Sequence, residues 1–211
     1  MVEILQSFPD LIYFGFEPNP EAYCCARQLA EANNFNVKLF PWACSDMPEP
    51  LELFAESSLD SSATAMSSIR PNTYSEIKSY KIASYPLDSI LRAEAQYGFI
   101  LKIDVEGTEN EVLQGAHSLI RDKRPLICCE VLHAHRASEV GMNNRRKKCL
   151  QEFLAEQDYS IYAILLDPSD REKFIGTKKI TSFPVDTIWS KSPHTCDYIF
   201  LPNEVPSELI F

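Results

Sequence analysis

Leu11-Ile12-Tyr13-Phe14-Gly15-Phe16-Glu17-Pro18-Asn19-Pro20 is the stretch on which the fold turns. A continuous apolar run without alternation suits a strand buried on both faces of a parallel sheet. Glu17-Pro18 ends the run. A helix starts at once, with Asn19 as N-cap and Pro20 at the first helical position, where a missing N–H costs nothing. Ala22, Tyr23, Ala26, Leu29 and Ala30 then recur at helical spacing until Asn33-Asn34. Val37 to Cys44 reads as the next strand, so the segment is one strand–helix–strand crossover.

Beyond it the pattern weakens from Ser45 to Ser84, where Leu51-Glu52-Leu53-Phe54 suggests a short strand. Ser57, Ser58, Ser61, Ser62, Ser67 and Ser68 mark a polar loop rather than a second domain. Order returns at Leu87-Asp88-Ser89-Ile90-Leu91, followed by a buried strand from Phe99 to Val105. Gly107 turns the chain, and Thr108-Glu109-Asn110-Glu111 matches a capping box. Val112, Leu113, Ala116, Leu119 and Ile120 supply the apolar face of the helix that follows. Leu126 to Val131 is a third buried strand. A helix over Asn143 to Gln157 leads to strands at Tyr159 to Leu166 and Asp197 to Leu201. Alternating strands and helices predict one α/β domain: a Rossmann-like, doubly wound, mostly parallel sheet with helices on both faces.

Composition narrows the partners. The 211 residues carry a formal net charge of −10, which repels nucleic acid and anionic membranes at long range. No stretch approaches the roughly 20 apolar residues of a membrane helix. Met1 to Asp10 has no basic start and does not read as a signal peptide, so a cytosolic address is expected. The seven cysteines include the adjacent pairs Cys24-Cys25 and Cys128-Cys129 but no Cys-x-x-Cys spacing. They read as buried free thiols in a reducing compartment. The basic run Arg145-Arg146-Lys147-Lys148 reads as a solvated helix face.

Ligands of open α/β sheets bind outside the carboxyl ends of the strands. Three of the buried strands end in acids: Glu17, then Asp104 with Glu106, then Glu130. A carboxylate there needs a partner or a ligand to offset its desolvation. Each also suits a plainer role, capping the next helix or pairing with a lysine. A carboxylate in the position of Glu17 can accept both ribose hydroxyl protons of a nucleotide, and nicotinamide and adenosylmethionine enzymes both use one.

Five ordered motifs separate these alternatives. Phe16-Glu17-Pro18-Asn19-Pro20, Ala43-Cys44-Ser45-Asp46, Leu87-Asp88-Ser89-Ile90-Leu91, Leu101-Lys102-Ile103-Asp104-Val105-Glu106-Gly107-Thr108-Glu109 and Val112-Leu113-Gln114-Gly115-Ala116, the last continued by Arg124-Pro125, stand in the order of the FkbM family. The sequence therefore resembles S-adenosylmethionine-dependent methyltransferases of that family, closely over residues 11 to 135. The resemblance implies a small-molecule or sugar hydroxyl as acceptor. It implies that Glu17 and Asn19 lie at the cofactor ribose and that Ser45 and Asp46 lie beside the adenine. Asp104 is implied at the mouth of the crevice, near the transferred methyl.

A hydroxyl acceptor must lose a proton, so Asp104 or His133 is a candidate general base. Asp104, Glu106 and Glu130 are alternatively candidate ligands for Mg²⁺, since hard cations take carboxylates, though no metal is the favoured reading. Glu106 and Glu130 otherwise border the acceptor. Family members open with a strand and a glycine-rich turn, whereas Met1 to Asp10 contains no glycine. The chain is expected to start after that turn and to hold the methionine end of the cofactor weakly. The competing reading is a non-catalytic, methyltransferase-like binding module.

Overall fold

The computed structural model describes residues 1–55, 78–91, 98–191, 195–206 and 208. The serine-rich loop expected between Ser57 and Ser68 lies outside them. The crossover unit forms as expected: β1 (Tyr13–Phe16), α2 (Pro20–Ala32) after a short α1 (Val2–Ser7), and β2 (Val37–Phe40), with β1 and β2 parallel. Asn19 caps α2, its Oδ1 accepting from the N–H groups of Glu21 and Ala22 at 3.1 and 3.5 Å, with Pro20 opening the helix.

The strand expected from Val37 to Cys44 breaks in two. Pro41 has no N–H to give a ladder, and β3 (Ala43–Cys44) restarts in a different sheet. There it pairs in parallel with β5 (Lys78–Tyr85), which pairs antiparallel with β4 (Pro50–Ala55). A chain of ring contacts, stacked, then tilted, then edge-on, continues where the backbone ladder stops. Phe16 lies 5.1 Å from Phe40, Phe40 5.1 Å from Trp42, and Trp42 4.9 Å from Tyr85. Such aromatic pairs contribute about 0.5–1.5 kcal/mol each beyond the area they bury.

The third sheet holds β6 (Ile100–Ile103), β7 (Leu126–Glu130), β8 (Tyr159–Asp167), β9 (Asp170–Ile180) and β10 (Asp197–Pro202), in the order β6-β7-β10-β8-β9. Only β6 and β7 run parallel; β10 enters antiparallel between β7 and β8, and β8–β9 is a hairpin. The single, mostly parallel sheet read from the sequence is therefore corrected to three small sheets of mixed direction. The break has a local cause. Beside β2, β1 has no strand neighbour among the described residues, and beside β7 neither has β6.

The core lies over the third sheet. Leu87 and Leu91 of the short helix α3 (Leu87–Leu91), Val112 and Leu113 of α4 (Glu109–Gly115), and Leu119 and Ile120 of α5 (His117–Lys123) pack with Ile103, Ile127, Phe200 and Leu154. The expected apolar helix face is buried as read, although the helix is broken at Ala116 into α4 and α5. Asp88 explains part of the break: its carboxylate accepts from the N–H groups of Ser118 and Leu119, both at 2.8 Å, and so caps α5 from another helix.

The expected capping box of α4 does not form. Thr108 donates to the Val105 carbonyl at 3.3 Å, and Glu109, buried at the helix start, accepts from Gly107 N–H at 2.8 Å. The last long helix, α6 (Val140–Glu156), starts three residues earlier than expected.

Two surface readings are also corrected. Cys24, Cys25 and Cys149 are exposed and only Cys129 and Cys196 fully buried, because the first three stand on outward positions of amphipathic helices. In the basic run, Lys147 is 3% exposed and Arg146 is largely covered, so half of that face turns inward. No helix among the described residues is long and apolar enough to cross a membrane.

Candidate active site

Every acid singled out in the sequence stands at or just beyond the carboxyl end of a parallel strand. Glu17 follows β1, Ser45 and Asp46 follow β3, Asp104 and Glu106 follow β6, and Glu130 closes β7. Glu17 is tied to the sheet by its N–H, which donates to Phe40 O at 3.0 Å, and its Oε1 accepts from Asn19 N–H at 2.8 Å. Burial pushes its carboxyl above the usual range, only partly offset by that amide. Oε2 is given no such partner by the turn.

Asn19 itself is 1% exposed and its Oδ1 is committed to the first amides of α2. It holds the turn that aims Glu17. Ser45, also buried, donates through Oγ to Asp46 Oδ1 at 3.1 Å. Asp46 is exposed, so a ligand can reach it.

Ser45 is positioned by a close approach that only glycine permits. A Cβ added at Gly115 would sit 2.0 Å from the Ser45 carbonyl oxygen and 3.2 Å from Pro86 Cα. Both obstacles are backbone, so neither can rotate away. Gly115→Ala is expected to destabilise the fold by about 3 kcal/mol, the upper part of the overpacking range. That corresponds to a Tm lowered by roughly 6–12 °C for a domain of this size. Thermal denaturation that leaves Tm unchanged would show that the loop carrying Ser45 and Asp46 does not rest on α4.

The densest chemistry lies between β6 and β7. Glu106 has φ +54° and Gly107 φ +110°, so two successive residues in the left-handed region fold the chain back after Asp104. A left-handed glutamate is an uncommon conformation that the surroundings must maintain. Its effect is to bring carboxylate oxygens of Asp104, Glu106 and Glu130 within 4.8 Å of one another. β6 ends at Ile103, so Asp104 and Glu106 stand on this turn and not on the strand.

Like charges this close cannot all ionise together. Asp104 and Glu130 face each other in this cluster, and their proton affinities are driven apart. Burial, the bond to Asp104, and the charges of Asp104, Glu106 and Asp197 push Glu130 up to about 8. For Asp104, burial raises the proton affinity but is outweighed by the hydrogen bond from Glu130 and by Lys102, whose Nζ lies 3.1 Å from Oδ2. The net shift of Asp104 is downward. The pair therefore favours the arrangement with the proton on Glu130 and the charge on Asp104. Three carboxylates at this spacing also have the chemistry to bind a hard divalent cation, but the Lys102 ammonium already stands on one of them.

His133, the other candidate base, is not part of this cluster. Its ring is 2% exposed, with Nδ1 2.7 Å from Thr187 Oγ1 and 3.3 Å from Lys147 Nζ. Lys147 also donates to Pro184 O at 3.0 Å, and burial lowers its proton affinity to about 8. These groups, His133 among them, tie α6 to the segments after β7 and β9.

A cleft opens between α6 and the loop after β7, and Gly107, Val131, Asn143, Arg146 and Lys147 are among its lining residues. Arg146 and Lys147 were missed as inward-facing residues, whereas Asn143 belongs to the stretch from His133 to Asn144 that the sequence places at the border of the acceptor pocket. Their spacing of three and four from Asn143 along a helix was the available signal, masked by reading the positive charges as a solvated face.

No curated protein matches the chain. A crystal structure of methyltransferase FkbM from Methylobacillus flagellatus KT is similar at 16% sequence identity and a TM-score of 0.48. The match covers 89% of this chain and 36% of that one, so the chain spans only about a third of that protein's length. Residues 4–161, about three quarters of the chain, match the family model for the methyltransferase FkbM domain, and the chain therefore belongs to that family.

Proposed function

We propose that the protein transfers a methyl group from S-adenosylmethionine to a hydroxyl oxygen of a small molecule or sugar. The observation that carries this reading is the close approach of the Asp104 and Glu130 carboxylates at the carboxyl ends of β6 and β7. The residues present suit the cofactor. Glu17 is a half-buried carboxylate with one oxygen committed to a backbone amide and the other able to accept ribose hydroxyl protons. Asp46 is an exposed acceptor held by Ser45, suited to the exocyclic amine of an adenine. When bound, S-adenosylmethionine supplies a methyl group on a sulfonium, so the protein's share is alignment and removal of the acceptor proton.

The pair performs the second task as a unit. With one proton aboard it is a weak base, because the next proton would have to sit on Asp104, whose affinity is depressed. With none aboard it is a dianion whose first proton binds near pH 8, close to the ideal for a general base at neutral pH. Methyl transfer should therefore rise with pH and level off above about 8.

Glu130→Gln keeps a donor to Asp104 and removes the shared proton, so the rising limb should disappear. The rate of transfer to a panel of hydroxyl acceptors, followed from pH 6 to 9.5 in parent and variant, tests this. A limb that survives in Glu130→Gln would assign the proton acceptor elsewhere.

A further inference from the structure

Asn143 and Arg146, which line the cleft beside α6, each carry a buried polar atom that the fold leaves without a hydrogen-bond partner among the described residues: Asn143 Oδ1 and Arg146 Nε. Both belong to side chains whose other ends are fixed. Asn143 Nδ2 donates to the Leu132 carbonyl at 2.8 Å, which settles the orientation of the amide. The two terminal nitrogens of Arg146 grip the two oxygens of Glu111, Nη1 at 3.0 Å from Oε1. The guanidinium is thereby held end-on, and Nε–H is spared. Asn110 donates to the Arg146 carbonyl at 3.1 Å and ties this turn of α6 to α4.

Asn143 and Arg146 are three apart on one helix and share a face. A preorganised acceptor and a preorganised donor, both desolvated, leave the fold paying for two buried unmade hydrogen bonds. A hydroxyl group carries both complements, an oxygen to accept from Nε–H and a proton to donate to Oδ1. An ether oxygen or a carboxylate accepts only, and an ammonium donates only.

The cleft also adjoins the carboxylates. Gly107 and Val131 line it, and each directly follows a member of the cluster, Glu106 and Glu130. From this geometry we infer that Asn143 and Arg146 form a hydroxyl-recognition subsite, and that the acceptor is a polyhydroxylated molecule anchored there by a hydroxyl other than the one methylated. The inference rests on the methyl-transfer reading for the word acceptor, but the subsite itself does not.

The test is side-chain ¹⁵N NMR of the whole chain, following the Arg146 Nε–H signal during titration with glycerol and with methyl α-D-glucopyranoside. A saturable shift is expected with both. 1,2-Dimethoxyethane, which can only accept, should bind at least about tenfold more weakly, the equivalent of one lost hydrogen bond in a buried site. Asn143→Leu should weaken the polyol response by a similar factor. Because that change also removes the Leu132 contact, Arg146→Lys is the second variant. It keeps a cation opposite Glu111, lacks Nε–H, and is read through the Asn143 side-chain amide, where the polyol response should fall equally. No saturable shift, an equal response to the ether, or a better response to acetamide would overturn the subsite and leave water as what the pair holds. S-adenosylmethionine titrated in parallel separates the two readings. A polyol response without cofactor binding sinks the methyl-transfer reading alone, and cofactor binding without a polyol response sinks the subsite alone.

Discussion

Asp104→Asn is expected to reduce methyl transfer by roughly 10²–10⁴-fold, the range over which a positioned general base acts, while changing cofactor affinity only a few-fold. Asparagine matches the shape of aspartate but leaves the pair without the carboxylate charge that makes it a base. It also removes the charge that holds the proton on Glu130, so Glu130 should fall back toward the ordinary carboxylate range. A second carboxylate 4.8 Å or less away then becomes a rescue base of ordinary strength, which sets the lower end of the expected loss. Lys102 should lose its partner at 3.1 Å with little consequence for stability, since that pair is more than half exposed.

The prediction also divides proton removal from metal assistance. If the carboxylates act as a base, turnover should be indifferent to chelator and to added Mg²⁺, and kcat should fall with KM for the cofactor nearly constant. Chelation that abolishes turnover, with recovery on adding Mg²⁺, would show instead that Asp104, Glu106 and Glu130 act by holding a cation against the acceptor oxygen.

Legibility in the sequence followed the range of the forces involved. The unit β1–α2–β2 could be read because each of its signals is local: an unbroken apolar run, an asparagine cap, a proline at the first helical position. The acids at strand ends were legible for the same reason, since a strand that stops at a carboxylate marks its own carboxyl end. What failed was non-local. That β10 would insert antiparallel between β7 and β8 depends on edges far apart in sequence, and no periodicity records it. β9 and β5 were missed because a strand with one face solvated carries too few apolar residues to stand out, and β9 is Asp170-Arg171-Glu172-Lys173 at its start.

The candidate site divides in the same way. Asp104 and Glu130 could be named from sequence, but not the proton they share. That depends on a left-handed Glu106 whose conformation no propensity would suggest, and on pairing between β6 and β7. Asn19 was named from a motif and His133 from its place just after a strand, and neither signal records what packing adds: Asn19 Oδ1 caps a helix start, and His133 Nδ1 meets Thr187 and Lys147. Arg146 was misread because charge is a good guide to exposure only when no partner waits inside, and Glu111 waits 35 residues upstream.

Glu17→Ala should weaken S-adenosylmethionine binding by roughly 10- to 150-fold. The estimate takes the loss of charge-assisted hydrogen bonds to ribose hydroxyls as about 1.5–3 kcal/mol. Burial raises the proton affinity of Glu17, which costs the empty site something to keep it ionised, and a ligand donating two hydroxyl protons offsets that cost. The Asn19 amide already satisfies Oε1 at 2.8 Å and fixes the carboxylate plane, so little ordering remains to be done when the ligand arrives.

Alanine removes both oxygens but should leave α2 intact, because the cap belongs to Asn19. Helix content and Tm should therefore change little, and that separates a lost contact from a lost fold. Glu17→Gln is the sharper companion. It retains an oxygen for one hydroxyl and a shape that fits the turn, and should lose less affinity than alanine. The ratio of affinities carries the test, since backbone amides of a glycine-rich turn would act on the other end of the cofactor and scale parent and variant alike. Calorimetry, or ligand-detected NMR where binding is weak, that finds parent and Glu17→Ala equal would remove Glu17 from the cofactor site. Such a result would reduce it to a residue that braces the start of α2.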